Sequence, residues 1–271
     1  MKGLAMFLAA TALAGPAVAG TISITISQAA RIADGNLVVD VKVGNSGDEA
    51  GLSVTPVLRF GDKEARGKGK ASLEPNGSFE ETLTVPVGTL GEGRWPYRVA
   101  VDYTDQNEYP FQALQTQTIV VGNPPPAKVV VPVIKSEDIT GTGTLTVAVK
   151  NLTPDTRTAK VSVLVPEGLE ASDAVRSVTL EGWKDAELKV PVTNRTALVG
   201  SRYPVFVTAE YDDGPVHQGV VAQGIVAVVG ADTFLDRNAR ALRIGAIALV
   251  AAWLAGTVVV LFRRRSATHG A

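Results

Sequence analysis

The chain has 271 residues, 26 basic against 27 acidic, no cysteine and two histidines. Without cysteine there can be no disulfide, thiolate metal site, thiol catalysis or covalent haem, so each folded domain must stand on its hydrophobic core alone. Between Gly20 and Gly230 there are 19 basic and 25 acidic residues. That negative balance argues against nucleic acid, whose phosphates need clustered positive charge.

Residues 1–19 hold Lys2, an apolar run from Leu4 to Ala14, Pro16 and the triplet Ala17-Val18-Ala19. This is the pattern of a secretory signal peptide cleaved before Gly20, and the run is too short to span a bilayer. The mature chain is therefore expected to start outside the cytoplasm.

Residues 20–122 and 128–230 read as two copies of one domain. Arg94 to Gly122 aligns without gaps on Arg202 to Gly230 at an offset of 108, matching Pro96 with Pro204, Tyr103 with Tyr211 and Gln115 with Gln223. Farther back, Val39, Val41, Val43 and Asn45 meet Leu145, Val147, Val149 and Asn151. Order is kept throughout, as in a duplicated unit. Leu145, Val147 and Val149 alternate with Thr146, Ala148 and Lys150, a period of two that turns one face of a strand to a core. Turn-rich stretches such as Pro75-Asn76-Gly77 and Asp212-Asp213-Gly214-Pro215 separate such strands, and helical periodicity is absent before residue 231. The predicted fold class is all-β: two tandem Ig-like β-sandwich domains plus one C-terminal transmembrane helix.

Three stretches of the first copy carry a family resemblance: Val41-Lys42-Val43-Gly44-Asn45-Ser46-Gly47, Leu73-Glu74-Pro75-Asn76-Gly77-Ser78, and Tyr97-Arg98-Val99-Ala100-Val101-Asp102-Tyr103. They resemble the bacterial Ig-like repeats of the CARDB type over most of 35–122. The likeness is weaker over 141–230, where Leu180-Glu181-Gly182-Trp183 replaces the Pro-Asn-Gly turn. It implies a cell-surface spacer or interaction module and no particular ligand.

Within the first copy, Lys63, Arg66, Lys68 and Lys70 make a basic loop around Gly67 and Gly69. It lacks phosphate-loop spacing and leads into no helix, so it is a candidate contact for an anionic glycan or acidic partner only. Tyr109-Pro110-Phe111 stands where the second copy has His217-Gln218-Gly219. An aromatic pair stiffened by proline on a hairpin tip is a candidate partner-binding loop, and this tip is expected to point away from the second domain. The alternative is that both rings fold back on their own sandwich.

Asn123-Pro124-Pro125-Pro126 opens a Pro-rich linker over 123–127, expected to be extended and to space the domains. In the second copy Glu210, Asp212 and Asp213 cluster, as Asp102 and Asp105 do in the first; turn formation suits them better than calcium, because the oxygen spacing of a dedicated cage is missing. Asn76, Asn151 and Asn194 open glycosylation sequons.

After a juxtamembrane segment at 231–243, Ile244 to Phe262 is uncharged and apolar and is stopped by Arg263-Arg264-Arg265. This predicts a membrane-spanning helix with a cytoplasmic tail at 263–271, single-pass in the plasma (inner) membrane with the N-terminal part outside; a buried core helix would need no arginine stop. Ala248, Ala252 and Gly256 recur every fourth residue and are a candidate helix–helix contact, open to a homo-oligomer or a complex subunit.

The chain thus reads as a non-catalytic, membrane-anchored scaffold, adhesin or accessory subunit. Its expected partners are membrane lipid through the one helix and another envelope protein, with neither cofactor nor metal. A cell-wall glycan-binding or glycan-acting protein is the alternative, although no carboxylate pair is assembled for glycan hydrolysis. Pilus chaperones also have two Ig-like domains but are soluble.

Overall fold

The computed structural model describes residues 20–231, 238, 240–251, 253 and 256. The expected signal peptide at 1–19 and the expected tail at 263–271 lie outside these residues, as do Ala252, Leu254, Ala255 and all of 257–262 in the expected membrane span. Among the described residues, 240–251 are helical, and no helix there is long and apolar enough to cross a membrane.

The first copy contributes β1 (Ile24–Ala33), β2 (Asn36–Asn45), β3 (Gly51–Phe60), β4 (Lys63–Arg66), β5 (Lys70–Leu73), β6 (Ser78–Pro86), β7 (Gly93–Thr104) and β8 (Pro110–Val121). One sheet has the order β1-β2-β6, and facing it β8, β7 and β3 lie side by side with β4 and β5 on the outer edge of β3. Strand β2 shows why these residues make a sandwich: Leu37, Val39, Val41 and Val43 are buried while Asp40 and Lys42 are exposed. The β1–β2 hairpin closes on Asp34-Gly35, both at positive φ (50° and 72°), as a tight hairpin turn requires. Val54, Leu58, Leu73, Tyr97, Val99 and Val101 complete this core from the opposite sheet.

The second copy repeats the arrangement with β9 (Val129–Ser136), β10 (Thr142–Asn151), β11 (Arg157–Leu164), β12 (Leu169–Ala171), β13 (Val175–Leu180), β14 (Asp185–Asn194), β15 (Arg202–Asp213) and β16 (Val216–Ala227). Its sheets run β12-β14-β10-β9 and β13-β11-β15-β16, the two-sheet Greek-key layout of an Ig-like domain. A separate core holds Leu145, Val147, Val149, Val161, Val190, Val205 and Val207.

The two sandwiches are not strung end to end. A third apolar cluster joins them: Phe206 from β15, Ala100 from β7 and Leu114 from β8 are buried together, with Leu164 and Val221 packed against them. These side chains point away from their own cores, so the sheet β8-β7-β3 of the first copy packs its outer face on β11-β15-β16 of the second. Main-chain pairing adds to this, since His217 and Gln218 of β16 run parallel to Gly93 and Arg94 of β7. The linker is pinned as well. Arg94 donates to the carbonyls of Pro124 (3.2 Å) and Pro125 (2.5 Å), and the fully buried Gln218 donates to Pro125 (3.0 Å) and accepts from Arg94 (2.9 Å). The expectation of spaced domains is corrected by this packing. Side-by-side burial of Phe206 outweighs the spacing tendency of the prolines, whose carbonyls remain free to accept these bonds.

Candidate functional site: the cleft between the sandwiches

The two ends of the contact between the copies differ. At one end, Trp95 stacks on His217 with ring centroids 3.9 Å apart and planes 15° apart, and the His217 N–H donates to the Glu92 carbonyl (3.1 Å). At the other end Tyr203 is the equivalent of Trp95, and the hairpin pairing puts Pro110 opposite Thr104 as it puts His217 opposite Asp212, so Pro110 takes the place of His217. There the strands do not pair. β11 stops pairing with β15 at Leu164 opposite Phe206, which leaves the start of β15 without a neighbour on that side. Lacking an N–H, Pro110 cannot make the main-chain bond that His217 makes to Glu92.

What remains is a cleft of about 1020 Å³ between the sandwiches, lined by Ile24, Tyr103, Phe111, Gln115, Tyr203 and Gln223 among others. Two strand edges border it, because β1 and β8 each pair on one side only. The rings form a ladder: Phe111 stacks on Tyr103 (5.5 Å, 20°) and leans on Tyr109 (5.2 Å, 54°). The Tyr103 hydroxyl is pushed up to about 12, first by burial and then by the Tyr203 phenol beside it, so it remains an un-ionised donor. Gln115 and Gln223 both line the cleft. Apolar walls with a few amide groups are the make-up of a recognition groove.

The structure brings Tyr109, Pro110 and Phe111 to this cleft. Tyr109 donates its hydroxyl to the carbonyl of Thr196 in the second sandwich, so the tip lies against that sandwich and does not project past it. It is held from within by Asp105, whose carboxylate accepts the N–H groups of Asn107 (2.8 Å) and Tyr109 (2.9 Å).

The basic loop lies elsewhere. Arg66 pairs with Asp102 (2.7 Å), and Lys63 donates to the Pro86 carbonyl (2.7 Å). The N–H groups of Lys68 (2.6 Å) and Gly69 (3.1 Å) cradle the carboxylate of Glu81, so the main-chain anion site that the glycines form is filled from within the chain. The Lys70 side chain is exposed. In the helix, Ala248 and Gly256 are exposed and Ala252 is outside the described residues.

The acidic residues have structural partners. Asp213 holds Lys128 (2.6 Å) and Arg157 (3.0 Å), and these bonds, the Lys128 one first, keep its carboxyl below the usual carboxylate range against the opposing effect of burial. Asp212 (2.9 Å) and Glu210 (3.4 Å) flank the imidazole of His217. Among the described residues no group of three or more His, Asp or Glu could hold a metal ion. Asn151 opens a sequon but is fully buried, which removes it as a glycosylation acceptor in the folded domain.

No known family description matches the chain, and no curated relative does. Among solved structures it is similar to red sea bream transglutaminase (11% identity, TM-score 0.28, covering 76% of this chain and 31% of that one). It is also similar to the native alpha-2-macroglobulin of E. coli (14%, 0.29, 76% and 17%) and to the YadV chaperone (12%, 0.30, 69% and 92%). The chain spans less than a third of the transglutaminase and macroglobulin chains. At these identities and TM-scores the likeness assigns this chain no function.

Proposed function

We propose that this chain is a non-catalytic, membrane-anchored extracytoplasmic module that binds another envelope protein in the cleft between its sandwiches. The observation that carries the reading is the unequal interface, in which β16 closes on β7 at one end while the equivalent strands stay apart at the other. A polypeptide segment that presents its own N–H groups can supply the strand that Pro110 prevents the chain from supplying to itself. Tyr103, Phe111 and Tyr203 offer rings for its side chains, and Gln115 and Gln223 offer amides.

Membrane anchoring rests on the run from Ile244 to Phe262 and its arginine stop. It is supported by the exposed apolar side chains of Ile244, Ile247, Leu249, Val250 and Trp253 on the described helix. The likeness to CARDB-type repeats belongs to the same reading, since such repeats serve as spacers and interaction modules.

The test is photo-crosslinking in intact cells, with benzoylphenylalanine at Gln223 of the full-length chain and, as control, at the exposed outer-face residue Lys189. A discrete protein adduct from position 223 alone supports the reading, provided Gln115→Arg suppresses it. Adducts of equal yield from both positions, or none from 223, overturn the cleft as the site. Protease added to spheroplasts should digest the chain up to about residue 243; protection of the sandwiches overturns the topology.

A further inference from the structure

We infer that His217 is a proton-operated clamp between the two sandwiches, closed when its imidazole is charged and loosened when it is neutral. The ring is partly buried, with a side chain 16% exposed, and it lies where three elements meet. From the second copy, β15 presents two carboxylates: Asp212 lies 2.9 Å from Nδ1 and Glu210 lies 3.4 Å from Nε2. From the first copy, β7 presents the face of Trp95, itself backed by Phe60 at 6.4 Å. The segment before β7 presents Glu92, whose carbonyl accepts the main-chain N–H of His217 and whose carboxylate is engaged by the N–H of Asn123 (3.0 Å). Arg94, also charged, directs its guanidinium to Gln218 and the linker carbonyls.

A charged imidazolium satisfies this site in three ways. It pairs with two carboxylates at once, it gives Nε2 a proton directed at Glu210, and it sets a cation over an indole face. A neutral ring has one N–H and can donate to only one of the two carboxylates. Nε2 is buried and makes no well-aligned hydrogen bond in the structure, which is the position where a second proton is wanted. The two carboxylates agree with this. Burial, the largest single influence, pushes the imidazole down, but Glu210 and Asp212 together outweigh it and raise it above its ordinary 6.5.

The clamp has a mechanical outlet. His217 and Gln218 are the two residues through which β16 pairs with β7, whereas the Phe206 cluster holds the sandwiches together independently of charge. Deprotonation therefore loosens the linker end without separating the copies. Because the folded-state value is raised, the stabilisation is complete below pH 6.5 and is lost as pH rises through the folded value. The first copy has Pro110 at the equivalent pairing position, so the other end of the interface has no imidazole to protonate.

The experiment uses the full-length chain in detergent with Trp183→Phe and Trp253→Phe, leaving Trp95 as the single indole. A protonated imidazole against the ring quenches its emission, so the emission should rise on alkalinisation with a midpoint above 6.5. The midpoint should fall in Glu210→Gln, and the transition should vanish in His217→Phe, which keeps the stack and removes the proton. Amide exchange at 93–95 and 217–219, corrected for intrinsic rates, should speed up several-fold over the same pH range, with the cores at Val99 and Val207 unchanged. A transition that survives His217→Phe, or exchange that ignores pH in the unsubstituted chain, overturns the clamp. If His217→Phe does not fold, the exchange profile and the Glu210→Gln shift decide the matter.

Discussion

Asn45 and Asn151 occupy one and the same site in the two sandwiches. Each ends its strand, is buried, donates through Nδ2 to the carbonyl four residues on (Glu49 and Asp155, both 2.7 Å), and donates again to the carbonyl of a core leucine (Leu73 at 3.0 Å and Leu180 at 3.2 Å). Each Oδ1 accepts the N–H two residues on, from Gly47 and Thr153, both at 3.0 Å. Replacing either with alanine strands several buried main-chain groups at once and should cost about 3 kcal/mol, given roughly 1–3 kcal/mol for each buried polar group left unpaired. Urea titration of Asn45→Ala and Asn151→Ala should show similar losses, and a loss below about 1 kcal/mol in either would contradict this account.

Asp213 ties the start of the second sandwich to its hairpin tip. With its carboxyl held below the usual carboxylate range, its contribution is present above the unfolded-state value near 3.8 and is lost as pH falls through the lower folded value. Asp213→Asn should therefore lower the melting temperature at pH 7 and flatten its decline between about pH 4 and 2. The decline is read by melting at a series of acid pH values, and an unchanged slope would assign the acid sensitivity to other carboxylates.

The cradle around Glu81 predicts a proteolytic signature. Without the carboxylate, the N–H groups of Lys68 and Gly69 lose their partner. Glu81→Ala should expose the bond after Lys68 to trypsin, with cleavage several-fold faster than in the unsubstituted chain. Stability should change little, because the site is exposed.

Gly219 allows the sandwiches to meet. A Cβ there would overlap Pro96 and crowd the Arg94 carbonyl, and neither can retreat far. Gly219→Ala should push β16 off β7 and cost about 2 kcal/mol, the usual range for overpacking. The same change should abolish the Trp95 emission transition described above. Retention of both stability and the transition would show that the junction yields more easily than its geometry implies.

The sandwiches themselves were legible in the sequence. The alternation of Leu145, Val147 and Val149 with exposed or half-buried neighbours decided the strand periodicity, and the match of Asn45 with Asn151 marked a position that both copies need. The packing of one copy on the other was not read. Its trace is Val205-Phe206-Val207, an unbroken apolar run in place of an alternating one, which a strand shows when both of its faces are covered. Pro110 reads from sequence as a stiffener of an aromatic tip, but its structural consequence is the N–H it lacks, and that emerges only when its counterpart His217 is seen paired. His217 carries no signal of its own in the sequence, because its partners come from β15 and from the other copy.

Two copies of one domain packed on each other are what a homodimer of a one-domain chain would possess. Joining such partners through Asn123–Pro126 replaces a bimolecular encounter by an intramolecular one, so the paired form no longer depends on how much protein is made. Once both halves travel on one chain, they are also free to diverge. One edge could keep the self-closing ladder while the other, carrying Pro110, gave it up and became available to a different partner. Gene duplication here converts a redundant pair of contacts into one hinge and one vacancy.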